Sequence, residues 1–161
     1  MRRLYHHILD PQARTIRFML AELGLDTDLL PEKPWERRRD FLKMNPSGEV
    51  PVLIDEEAAA RARGQQEMGL DESATEGESD EGAEQTDMEL AVKRGPKQPV
   101  TVCGVFPIVE YLCDTYPEPN LLGETPSEKA ETRRLLDWFG RKFHHEVSDL
   151  VLQEKVVKRL A

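Results

Sequence analysis

Apolar residues along this chain come first in a short block, then at helical spacing, then in short blocks again. Leu4-Tyr5-His6-His7-Ile8-Leu9 is a run of bulky residues stopped by Asp10-Pro11, and it predicts a first strand. Asp10 stands where a helix N-cap belongs and Pro11 fits the first helical position. Beyond it Ile16, Met19, Leu20 and Leu23 recur at helical spacing, with Phe18 alongside, and Gly24 ends the helix. Leu25–Leu30 predicts a second strand with weak alternation. Pro34–Leu42 is polar and predicts a connection of one or two helical turns.

In Asn45-Pro46-Ser47-Gly48-Glu49-Val50-Pro51-Val52-Leu53-Ile54-Asp55, two proline turns bracket a glycine and a strand follows directly. A proline that opens a strand cannot donate a ladder hydrogen bond, so it sits where none is needed. A cis Val50-Pro51 bond would turn the chain sharply there and leave the backbone of Val50 facing outward. Order is expected again at Val100–Cys103, a strand, and at Phe106–Leu112, a helix with Ile108, Tyr111 and Leu112 on one face. Tyr116–Pro119 reads as a linker. Thr125-Pro126-Ser127-Glu128 then caps a helix that is amphipathic through Leu135, Leu136, Trp138, Phe139, Phe143, Val147 and Leu150-Val151. A break or second helix is expected over Val156–Leu160, and Val151, Val156, Val157 and Leu160 are apolar positions without an evident cover.

Composition changes this picture at one place. The chain has 161 residues, 39% hydrophobic and 33% charged, with a net charge of -9. Residues 56–90 hold 12 of the 31 acidic side chains and 2 of the 22 basic ones, leaving 19 acidic against 20 basic elsewhere. Residues 56–98 therefore read as a disordered acidic insertion, because like charges repel and few side chains there could bury anything. No apolar run approaches the roughly 20 residues that span a bilayer, and no export signal precedes the first strand. A soluble cytoplasmic chain with reduced thiols is expected, without membrane or nucleic-acid partners, since no basic strip is interleaved with aromatics.

Strand–helix–strand, Asn45–Leu53, then strand, Ile108-Val109-Glu110-Tyr111-Leu112, a proline linker and a long helix resemble the glutathione S-transferase superfamily over Met1–Asp55 and Thr101–Leu150. The resemblance implies an α/β fold: a thioredoxin-like mixed sheet with flanking helices, followed by a truncated all-α C-terminal domain. Residues 1–118 would be the first domain and 125–161 the start of the second. It implies that Val50-Pro51 is cis and that Val50 and Pro51 hold the cysteinyl part of glutathione. The family's Ser, Cys or Tyr near the first strand's end matches His6 or Asp10 here, and a carboxylate beside a thiolate raises the thiol pKa. The acid–hydroxyl pair that grips the γ-glutamyl group reads Gly104-Val105. Two of the three glutathione contacts are thus missing, which implies a retained scaffold without the chemistry.

The His-His after the first strand, Pro34-Trp35-Glu36-Arg37-Arg38 and Val102-Cys103-Gly104 are similar to a subgroup of FtsZ-binding, transferase-like cell-division proteins, which implies a bacterial cytoskeletal partner. The alternative is an enzyme that conjugates glutathione to small electrophiles, with glutathione as substrate and no cofactor. A degenerate remnant without function of its own is a third reading. A homodimer is common in the family.

The remaining chemistry-bearing groups have ordinary readings beside sharp ones. His6 and His7 on a strand point to opposite faces, so one of them could reach a site. His145 and Asp149 are four apart and could share a helix face with His144 and Glu146 nearby, but without a third spaced ligand a solvated face is the simpler reading, and no metal is expected. Cys103 reads as buried and inert, Cys113 as a surface thiol near a helix end. Arg37-Arg38-Arg39, Arg133-Arg134 and Arg141-Lys142 are either solubilising charge or a basic face for an acidic partner, one that the acidic loop could mask.

Overall fold

A computed structural model describes residues 1–57 and 99–160. The predicted insertion at 56–98 therefore lies almost wholly outside the described residues. The chain divides into two compact units, Met1 with Asp55–Val100 and Arg2–Ile54 with Thr101–Ala161. In the first, the N-terminal ammonium stands 4.0 and 3.6 Å from the carboxylates of Glu56 and Glu57, and the Glu56 amide donates to the Met1 carbonyl.

The second unit begins with β1 (Arg2–His6), α1 (Pro11–Glu22) and β2 (Asp28–Pro31). β1 and β2 are parallel, with Leu4 opposite Leu29 and His6 opposite Pro31. A parallel pair needs a crossover, and α1 supplies it. Its start is as expected: Asp10 accepts from the Ala13 amide at 2.6 Å and Pro11 follows. Its end is Leu23, with Gly24 in the left-handed region at φ 62°.

A short turn at Pro34–Glu36 and α2 (Arg39–Met44) lead to β3 (Val52–Asp55), and β4 (Val100–Cys103) completes a four-stranded sheet in the order β2-β1-β3-β4. Both faces of β3 are buried, as its unbroken apolar run requires. Leu4 and Leu53 pack with Ile16, Leu20, Ile108 and Leu112 in one core cluster, whereas Val52 joins Ala13, Phe41 and Val50 in another, with Tyr5 partly buried beside them. α3 (Val105–Thr115) seals the larger cluster. Val50-Pro51 is cis.

Two strands lie elsewhere than the residue pattern predicts. β1 ends at His6, because the Asp10 amide turns back to the His7 carbonyl at 3.1 Å and leaves Ile8 and Leu9 exposed in that turn. β2 is displaced toward Pro31, since Leu25 packs against the core before the strand begins. The capping box at Thr125 is present, and α4 (Pro126–Asp137) follows it. No break occurs at Val156: helix runs on through a widely wound segment Trp138–Ser148, a turn at Asp149–Leu152, a second wide segment Gln153–Val157 and Lys158–Leu160. Among the described residues no helix is long and apolar enough to cross a membrane.

Candidate functional site

A cavity of about 430 Å³ opens where the ends of β1 and α2 face the long C-terminal helix. Its N-terminal wall is His7, Asp10, Gln12, Trp35 and Arg37, together with Ser47, Gly48, Glu49 and Val50. The opposite wall is His144, His145 and Asp149, then Leu152, Gln153, Val156 and Val157.

The Asn45–Val50 loop is held by its own polar groups. Asn45 Nδ2 donates to the Glu49 carbonyl at 2.8 Å, and Ser47 donates to Asn45 Oδ1 from its hydroxyl at 3.0 Å and its amide at 3.3 Å. The Ser47 hydroxyl also accepts from the Glu49 amide at 3.2 Å, so it is committed to the turn. Gly48 has φ 78°, and a methyl group there would stand 3.2 Å from Leu42 and 3.4 Å from Arg37 Nη1. The loop thus presents Val50 to the cavity and lets the Arg37 guanidinium lie close over Gly48. Arg37 itself is in the left-handed region at φ 46°.

At the end of β1 the structure separates the two histidines. His6 is buried in the sheet, its Nδ1 has no hydrogen-bond partner, and it does not line the cavity; burial, then the Arg17 charge, lower its pKa. His7 lies just beyond the strand and meets Trp35 edge-on at 5.2 Å. Of the two candidates for the activating position, Asp10 lines the cavity and His6 does not. Burial pushes the Asp10 carboxyl above its usual range, while its bond from the Ala13 amide and the nearby His144 and His7 act in the other direction.

Val50 lines the cavity and Pro51 is buried behind it, its carbonyl accepting from the Gly104 amide at 2.9 Å. Gly104 (φ 88°) precedes α3 without a side-chain cap, and Val105 is buried in the core. Neither lines the cavity nor offers an acid or hydroxyl. His144, His145 and Asp149 do come to the wall, unlike Glu146, which pairs with Lys142 at 2.6 Å. No group of these residues is arranged to hold a metal among the described ones.

Cys103 and Cys113 are both half-buried, so neither is the fully buried thiol expected of the first nor the surface thiol expected of the second. Burial raises the pKa of each, and Cys103 donates to the Met44 carbonyl at 3.5 Å. The expected basic face is largely neutralised: Arg38 binds the buried Glu32, Arg133 holds Glu110, Arg134 holds Glu131, Arg141 holds Asp137 and Lys142 holds Glu146. Trp35, Gln153 and Val157 were not legible as wall residues; a lone tryptophan inside a polar connection was the one available signal.

The model for the family described as "Glutathione S-transferase, N-terminal domain" matches residues 11–115. FtsZ-localized protein A of Caulobacter vibrioides is 32% identical over 159 residues, covering 99% of this chain and 53% of that protein. A glutathione S-transferase structure from Rhodospirillum rubrum is 37% identical with a TM-score of 0.71, covering 100% of this chain and 54% of that one. The structure of FzlA from C. crescentus is 33% identical with a TM-score of 0.69, over 99% and 54%. The chain spans about half the length of these relatives.

Proposed function

Because this chain belongs to the glutathione S-transferase family through its N-terminal domain, we propose that it is a non-catalytic binding protein on that scaffold which acts on an FtsZ-type division polymer in the cytoplasm. The observation that carries the non-catalytic half is the chemistry of the wall. Where the family has a hydroxyl or thiol, the cavity offers the Asp10 carboxylate, with the imidazoles of His7, His144 and His145 and the Arg37 guanidinium elsewhere in its wall. Ser47 is committed to its loop, and neither cysteine lines the cavity. A carboxylate at that place holds a neighbouring thiol protonated, the opposite of activation. The positions for the γ-glutamyl group, Gly104 and Val105, supply no side-chain acceptor or donor.

Similarity to FtsZ-localized protein A supports the partner half. Co-sedimentation with FtsZ polymers tests it: the protein should pellet with polymer and stay in solution without it. Recovery in the supernatant in both cases ends this reading.

Catalysis of glutathione addition to a small electrophile is the second reading, favoured by the intact Val50-Pro51 turn at the cavity. Calorimetric titration with reduced glutathione separates the two, since saturable heat below about 10 mM would support the enzyme.

A further inference from the structure

We infer that Glu32 and Arg38 are positioning residues of the cavity: their forked ion pair fastens the Lys33–Arg37 turn and so sets where Trp35 and Arg37 stand in the wall. Neither member of the pair lines the cavity itself. The pair has this role whichever of the two readings above applies to the cavity.

Glu32 lies one residue beyond β2, its amide donating to the His6 carbonyl at 2.8 Å, and its side chain is only 1% exposed. A carboxylate buried like this is costly unless it is paired and hydrogen-bonded. Arg38 pairs it with a fork: Nε donates to Oε1 at 3.1 Å and Nη2 donates to Oε2. Two points six residues apart are thus pinned together, and the residues between them leave the strand as a turn. Within that turn the Glu36 amide donates to the Lys33 carbonyl at 2.9 Å and the Arg37 amide to the Pro34 carbonyl at 3.2 Å. Arg37, at φ 46°, is the one non-glycine residue with positive φ among the described residues. A side chain crowds its own backbone in that conformation, so it persists where the surroundings hold it.

This turn delivers Trp35 and Arg37 to the wall. The indole meets His7 edge-on at 5.2 Å, and Arg37 Nη1 stands 3.4 Å from where a methyl group on Gly48 would be. The Arg37 guanidinium makes no hydrogen bond or ion pair to the described residues, so its backbone and not a polar partner sets its place. The other ion pair of the turn, Lys33 with Glu36 at 2.9 Å, is exposed on both sides and contributes little. The Glu32–Arg38 fork is the tie that runs from the turn to the end of a strand. Whatever enters the cavity then meets an indole and a guanidinium carried on backbone whose freedom is lost on folding rather than on binding.

The test starts from Trp138→Phe, in which Trp35 is the one tryptophan, and adds Glu32→Gln, Arg38→Lys or the control Lys33→Met. Glu32→Gln leaves no buried charge, Arg38→Lys keeps the charge but not the fork, and Lys33→Met breaks only the exposed pair. Circular dichroism checks that each variant is folded. Two signals read the wall: the ring-current shift that Trp35 imposes on the His7 imidazole protons, and acrylamide quenching of Trp35 emission. Loss of the shift and stronger quenching are expected in Glu32→Gln and Arg38→Lys, with Lys33→Met like the parent; should one of the two unfold, the other decides. A fall in urea stability with both signals unchanged makes the pair merely structural and overturns the inference. The same changes in all three variants overturn it too. In the parent protein the heteronuclear NOE of the Trp35 indole N–H should match that of the strand amides. A value typical of a mobile terminus overturns the inference whatever the variants do.

Discussion

Gln12 Nε2 donates to the Gly140 carbonyl at 2.7 Å, tying the first turn of α1 to the helix that forms the far wall of the cavity. The approach is close because Gly140 has no side chain. A methyl group there would stand 3.2 Å from Phe106 Cζ and 3.5 Å from Val105 Cγ1.

Gly140→Val should therefore destabilise the protein by about 1–3 kcal/mol, the usual cost of forcing extra methyl groups into a packed contact. Gln12→Ala should cost about 0.5–1.5 kcal/mol through the lost hydrogen bond. Urea denaturation measures both, and a neutral Gly140→Val would mean that the helix is not held at this point.

Asp10 has two separable roles. Asp10→Ala removes the cap of α1 and should cost about 1 kcal/mol, whereas Asp10→Asn keeps the cap. Burial raises the folded-state pKa of Asp10, so the fold favours its protonated form more than the unfolded chain does. Its contribution is then fully present below the unfolded pKa and is lost as pH rises through the folded one. Wild type should lose stability relative to Asp10→Asn as pH rises from the acid range toward neutrality. A constant difference across a denaturation series in that range would show that burial does not govern this carboxyl.

Both cysteines should react slowly. Burial raises the Cys103 and Cys113 thiols, so little thiolate is present at neutral pH. Ellman's reagent at pH 7.5 should label both more slowly than free glutathione, and quickly once urea unfolds the chain. Fast labelling of the folded protein would contradict the burial of these groups.

Trp35 reports on cavity occupancy. With Trp138→Phe it becomes the only tryptophan in the chain. If the cavity does not take glutathione, its emission should stay unchanged with the tripeptide up to about 10 mM. A saturable shift that Asp10→Asn strengthens would point to a thiol beside that carboxyl.

Much of the fold was legible because its signals are local. Asp10-Pro11 and Thr125-Pro126-Ser127-Glu128 mark helix starts through caps whose donors lie within three residues. The apolar run after Pro51 and the spacing of Ile16, Met19 and Leu20 each state which side must be buried. The site was legible in part. Asp10 and Val50 could be placed at it from their positions beside a strand end and a proline turn.

What the amino-acid order alone determined, then, is element type, the polarity of each helix and the Asn45–Pro51 turn, since these depend on neighbours a few residues away. Tertiary structure decided the rest. It chose His7 over His6 for the cavity, because one turn at His7–Asp10 ends the strand between them. It brought His144 and Asp149 to Asp10 from more than a hundred residues away, by a winding of Trp138–Ser148 that no hydrophobic periodicity encodes. It also paired Arg133 with Glu110 across two helices, so a basic run in the sequence became a neutral surface. Long-range geometry is set by which faces can be buried together, and that is a property of the whole packed chain.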